Sequence, residues 1–242
     1  MVLEKKIKKL LNKIEVIDNS KDKLEKFNFI FNQSSVKILT FLNHHAVNIA
    51  YKDPQFYNFL MQSELLYRDG IGIKIACLLN KIQPGLNMCG TDFLPFLLEE
   101  YKNKKIAIFG SKDDVINKFY QLYSSKYNIV SHMDGYKDNN SYIEELNLVK
   151  PDILLLAMGV PKQEYLSKHI KDVYMNKLTI INGGAILDFM TGKINRAPKF
   201  FIKFGLEWLV RLYHEPRRLF KRYIIGNPVF LYRLFKELIL NE

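Results

Sequence analysis

The residues best suited to chemistry are few and scattered. Asp69 lies in the run RDGIGIKIA, with a glycine after it and an apolar stretch beyond. It suits two tasks: as a helix N-cap it would accept backbone N–H bonds, and as a general base it would take a proton from a hydroxyl. Gln163 and Glu164 lie in GVPKQE. Pro161 favours a first helical turn there and Glu164 complements the helix dipole, while Gln163 is placed to hydrogen-bond a ligand. Asn182, Gly183 and Gly184 form either a tight turn or a backbone approach to a nucleotide. Arg211, Arg217, Arg218 and Arg222 form a basic cluster. Forked guanidinium groups suit a diphosphate, or simply make a solvated helix face. His44, His45, His132, His169 and His214 lack metal-ligand spacing, and Cys77 and Cys89 fit neither a zinc pattern nor a disulfide framework. No G-x-G-x-x-G, P-loop or D-x-D occurs. No metal or other cofactor is therefore expected, and any sugar-nucleotide charge must be met by Arg, Lys or backbone.

Positioning such residues requires a scaffold, and the middle of the chain reads as one. Residues 36–42, 104–109, 127–131, 152–157 and 178–182 are strand-like. Residues 43–67, broken at Pro54, and 112–124, 141–149 and 162–171 read as helical. Strands alternating with helices predict an α/β fold: a Rossmann-like, mostly parallel sheet flanked by helices. The run DILLLA fits a parallel strand covered on both faces. Ligands of such sheets bind beyond the carboxyl ends of the strands. That singles out Asn43 and His44; Gly110 and Ser111; His132 to Tyr136; Met158 to Gln163, with Gly159; and Gly183 to Ala185.

Composition narrows the partners. The 242 residues carry a net charge of +11, which favours an anionic partner. No apolar run reaches the roughly 18 residues of a membrane span. Residues 196–242 hold ten Lys/Arg, four Asp/Glu and ten aromatics. A basic, aromatic segment suits an anionic membrane surface. Its pattern predicts a helix carrying Phe200, Phe204, Trp208 and Leu212, a second starting at Pro216, a break at Gly226–Asn227–Pro228 and a third stretch from Leu231. We divide the chain into a 1–195 α/β catalytic domain, opening with a lysine-rich helix within 1–27, and a 196–242 basic helical appendage. The N-terminal stripe of Leu3, Ile7, Leu10, Leu11 and Ile14 reads as a surface helix. Reduced thiols fit the cytoplasm. A basic nucleic-acid-binding module, or a nucleotide-sugar hydrolase or epimerase, remains an alternative.

Seven blocks carry a resemblance. RDGIGIKIA, CGTDFLPFL, IAIFGSK, HMDGY, PDILLLAMGVPKQE, NGGAILDFMTGKINRAP and GLEWLVRLYHEPRRLFKRY occur in the order seen in the WecG/TagA/CpsF glycosyltransferases, glycosyltransferase family 26. The similarity spans about residues 36 to 225. It implies an inverting, metal-independent transfer from a UDP-sugar, often UDP-N-acetylmannosamine, to an undecaprenyl-diphosphate-linked sugar. Such transfer serves cell-surface polysaccharide synthesis at the inner face of the cell membrane. It places the base at Asp69 and a substrate-binding glutamine at Gln163. It sets Arg211, Arg218 and Arg222 on the diphosphate and the appendage on the membrane. The family often reads T-x-N before its first helix; here Asn43 matches and Phe41 holds the threonine position, with Thr40 one residue earlier. Gly183 matches a G-x-G-A pattern loosely.

Overall fold

A computed structural model describes residues 5–239. Six strands form one all-parallel sheet: β1 (Val36–Leu42), β2 (Leu65–Arg68), β3 (Ile106–Gly110), β4 (Ile129–Met133), β5 (Ile153–Ala157) and β6 (Leu178–Asn182). Their spatial order is β2-β1-β6-β5-β3-β4. The expected α/β architecture is present.

Both faces of the sheet are covered, so its strands are apolar on both sides. Val36, Ile38, Leu42, Ala107, Phe109, Leu154, Leu156, Leu178 and Ile180 point into one core. Leu39, Phe41, Ile106, Ile108, Ile153, Leu155 and Ile181 point into the other. The first core is closed by α1 (Lys6–Lys13), α3 (His44–Lys52), α4 (Pro54–Gln62), α5 (Ile71–Leu79), α8 (Asn139–Val149) and α9 (Lys162–Val173). The second is closed by α2 (Ser20–Phe31), α6 (Gly90–Glu100), α7 (Asp113–Tyr123) and α10 (Ile186–Met190).

Three expectations need correction. Residues 43–67 are not helical throughout: α3 and α4 end at Ser63, and Leu65–Arg68 forms edge strand β2, paired Leu39↔Leu65 to Leu42↔Arg68 with β1. A four-residue apolar run carries too little periodicity to separate strand from helix. The N-terminal segment is two helices, because Asn19 caps a new one and the Asp22 carboxylate accepts in return from the Asn19 amide. Its stripe of Ile7, Leu10, Leu11 and Ile14 is buried core rather than a surface face; Leu3 lies outside the described residues. The C-terminal helices differ as well: the break at Gly226–Asn227–Pro228 is absent, and the helix expected through Phe200, Phe204, Trp208 and Leu212 is split at Gly205, φ +70°.

The C-terminal region runs α11 (Lys199–Lys203), α12 (Glu207–His214), α13 (Pro216–Phe220), a π-helical turn (Lys221–Ile225) and α14 (Gly226–Ile239). The wide turn lets the helix continue into Pro228, which has no N–H to give to an ordinary ladder. Phe230 and Leu234 of α14 enter the first core. The Glu237 carboxylate accepts from the Ile7 and Lys8 amides. The last helix therefore ties α1 and the sheet domain together.

Gly110 ends β3 at φ +144°, and a Cβ there would lie 2.4 Å from the Ala157 carbonyl. Its role is close approach of β3 to β5. Gly110→Ala is expected to destabilise the fold by about 3 kcal/mol or more, read as a lower denaturant midpoint at unchanged m-value.

Candidate active site

Strand register assembles the site. Leu42 pairs with Arg68, and the Asp69 amide donates to the Leu42 carbonyl at 2.9 Å. Asn43 and Asp69 are thus neighbours just past the carboxyl ends of β1 and β2. Asn43 caps α3: its Oδ1 accepts from the His45 and Ala46 amides, while its Nδ2 reaches Asp69 Oδ2 at 3.4 Å. Asp69 caps nothing. The N-cap of α5 is Gly70, at φ +87°, with no side-chain capping bond. Arg68 fixes that turn by donating to the carbonyls of Pro84, Gly85 and Gly70. The capping alternative for Asp69 falls away, and its carboxylate is left facing a cavity.

That cavity measures about 460 Å³. Asn43, Asp69, Gly159, Gln163, Gly183, Arg211, Arg218 and Arg222 all line it, whereas Gly110, His44, Ser111 and the turn from His132 to Tyr136 do not. Gly183 permits close packing: a Cβ there would meet Leu155 and Ile186 within 2.9 Å.

The electrostatics centre on Asp69. Burial raises its pKa, while the bond from Asn43 and the nearby Arg222, Arg211 and Arg68 charges oppose the rise. The Nε atoms of Arg211 and Arg222 are buried without a partner. Two cations brought into a cavity with unused donors need an anion to complete them. The basic face expected on the appendage is therefore divided. Arg222 turns inward, whereas Arg218 is exposed and pairs with Glu215. His44 and His45 are held down to a pKa of about 4, by burial and then by the Arg222 charge, so both rings are neutral at pH 7.

Gln163 lines the cavity and is braced by two protein partners. Its Oε1 accepts from the Gly184 amide and its Nε2 donates to Glu164 Oε1. It braces the β6 turn under the cavity. Thr40 points to the α9 side of the sheet, where its Oγ1 is buried without a partner, and Phe41 points to the opposite side against Tyr67 and Phe93. A shift of one residue along a strand changes the face.

Burial pushes the Glu164 carboxyl up to about 7. Its folded pKa exceeds the unfolded one, so its contribution to stability is full at acid pH and is lost as pH rises from about 4.5 to about 7. Glu164→Gln should remove that loss, worth about 3 kcal/mol. The check is the difference between wild-type and variant unfolding free energies across this window. The difference also cancels the opposite trend of His44 and His45.

Sequence reasoning missed several residues. Glu207 of α12 lines the cavity, and its pKa is raised by burial and by Asp69 against the pull of Arg196 and Arg211. Arg196 grips Asp92 of α6 with both guanidinium nitrogens. Cys89 is buried at the cavity wall with its thiol pushed up to about 12, mainly by burial. All three depend on long-range packing, and only membership of the GLEW, RAP and CGTD blocks could have pointed to them.

Two further cavities adjoin this one. One, of about 220 Å³, lies past the ends of β3, β4 and β5 and includes Ser111, Tyr136, Lys162, Asp188 and Arg218. It falls where the strand order reverses between β3 and β5. The other, of about 530 Å³, lies on the far side of Asp69. Among the described residues no helix is long and apolar enough to cross a membrane, and no group of three or more His, Cys, Asp or Glu side chains could hold a metal.

The chain is 29% identical over 206 residues to the N-acetylglucosaminyldiphosphoundecaprenol N-acetyl-beta-D-mannosaminyltransferase of Bacillus subtilis strain 168, covering 83% of this chain and 79% of that protein. It is 27% identical over 194 residues to the enzyme of the same name from Bacillus spizizenii strain W23, covering 78% and 74%. The profile of the glycosyl transferase WecG/TagA/CpsF family matches residues 11–242, and the chain belongs to that family.

Proposed function

We propose that the protein transfers an N-acetylmannosamine-like sugar from a UDP-sugar to a sugar on undecaprenyl diphosphate, in cell-surface polysaccharide synthesis. The observation that carries this reading is the Asp69 carboxylate facing the unpartnered Nε atoms of Arg211 and Arg222 across one cavity. The names of the two Bacillus relatives supply the sugar and acceptor classes.

The uridine enters the small cavity at the β3/β5 reversal, and the diphosphate meets Arg218 where that cavity joins the larger one. Asp69 takes the proton from the acceptor hydroxyl as its oxygen attacks the anomeric carbon. The bond to UDP breaks on the opposite face, so the centre inverts. Arg211 and Arg222 stabilise the charge that develops on the leaving diphosphate. Guanidinium groups here take the place of a divalent cation, and no metal is needed. Residues 1–195 carry the catalytic sheet. Residues 196–242 rest peripherally on the inner face of the cell membrane. Exposed Phe220, Ile224, Ile225 and Phe235 with Arg217 and Lys221 suit that contact.

The test is incubation of the protein with a panel of UDP-sugars and a short-chain polyprenyl-diphosphate-linked GlcNAc, in EDTA. Mass gain on the lipid from one donor is expected. UDP release without mass gain would instead indicate a hydrolase.

A further inference from the structure

We infer that the second cavity, on the far side of Asp69, holds the first isoprene units of the lipid acceptor. This rests on the proposed transfer to a prenyl-linked sugar and names where its lipid lies. The cavity has a volume of about 530 Å³ and meets the first at Asn43, Asp69, Glu207, Arg211 and Arg222. Beyond that junction its walls turn apolar: Ile71 and Ile75 of α5 face Ile202, Trp208, Ile224 and Leu231 of the C-terminal helices. A ligand threading it would present a hydroxyl to Asp69, carry its anionic group past the cationic junction of the two cavities, and lay hydrocarbon against the rest. A prenyl diphosphate sugar has those three parts in that order.

The mouth supports the same occupant. Ile75, Leu78 and Leu79 of α5 are exposed by 41%, 56% and 42%. Across the opening Ile224 and Leu231 are exposed by 42% and 39%. Exposed aliphatic side chains on both lips continue the cavity's lining out to the surface. Lys74 and Lys221 flank them, as an anionic bilayer surface requires. The α5 helix belongs to the catalytic sheet domain, so the lipid is gripped between that domain and the appendage, and not by the appendage alone.

Trp208 is the only tryptophan of the chain and stands in the cavity wall against Tyr223, with ring centroids 5.7 Å apart. Its fluorescence reports occupancy without any need for turnover. Titrating the full chain with farnesyl diphosphate below its micellar range should change Trp208 emission saturably. Inorganic diphosphate should not reproduce that change. Ile75→Lys should weaken farnesyl diphosphate binding about ten-fold and leave UDP binding unchanged. In the transfer assay Ile75→Lys should raise KM for the prenyl acceptor about ten-fold, with kcat kept and KM for a methyl-diphosphate-linked GlcNAc unchanged.

A flat titration overturns the inference, as does equal binding by wild type and Ile75→Lys, or a KM that ignores the prenyl group. Saturable farnesyl binding at Trp208 without transfer from any UDP-sugar would remove the proposed function and leave the cavity's ligand class standing.

Discussion

Asp69→Asn lowers kcat by about 10²- to 10⁴-fold, the range for loss of a general base, while UDP binding measured by calorimetry stays close to wild type. The substitution is nearly isosteric. The amide oxygen it introduces still accepts from Asn43, so the loop between β2 and α5 keeps its shape. What disappears is the carboxylate that reaches the junction from a strand end, and with it the proton acceptor. The pH profile adds a second signature. Burial raises the Asp69 pKa, and Asn43 and three arginines only oppose that rise. The active form is ionised, so kcat/KM climbs with pH through an acid limb displaced above the ordinary carboxylate range. The Asp69→Asn variant lacks that limb. Wild-type turnover in Asp69→Asn would move the base elsewhere, with Glu207 as the other carboxylate that lines both cavities.

Arg222→Ala lowers kcat by about 10²- to 10³-fold, the magnitude for removing one preorganised donor from a developing charge. It does so without loss of fold. Arg222 is buried without a hydrogen-bonded partner at Nε, and burial lowers its own pKa. Its guanidinium therefore costs stability in the empty protein, and removing it leaves no carboxylate unpaired. The bond from His44 goes to the Arg222 backbone carbonyl, 3.2 Å away, and survives the change. Two readouts separate catalysis from packing. The Asp69 acid limb moves further up when a nearby cation is lost. Arg222→Lys restores the charge but not the fork, so it recovers activity only in part. A large fall in the unfolding midpoint with kcat intact would make Arg222 structural.

Much of this is legible in the sequence. β5 is readable because a buried parallel strand needs no alternation, and ILLLA has none. The turns after β1, β5 and β6 are readable because a parallel sheet gathers its ligands at one edge. The resemblance then places Asp69 and the arginines. What escapes is decided over long distances. LLYR becomes a strand only because β1 offers it an open edge. Asp69 is free of capping duty only because Gly70 takes the N-cap position and Arg68 is anchored to Pro84 and Gly85. Gln163 reads as a ligand donor, and the bonds that brace it, one to Glu164 and one from the Gly184 N–H, could not be read from the sequence. The N-terminal stripe reads as a surface helix because the α14 residues that cover it lie more than 200 positions away.

The most direct measurement is the configuration of the product. With an α-linked UDP-N-acetylmannosamine donor, a short-chain prenyl-diphosphate GlcNAc acceptor and EDTA, the one-bond C1–H1 coupling of the new linkage is read by NMR. A single displacement assisted by Asp69 predicts the β linkage. An α linkage would require a covalent or front-face route and would contradict the account.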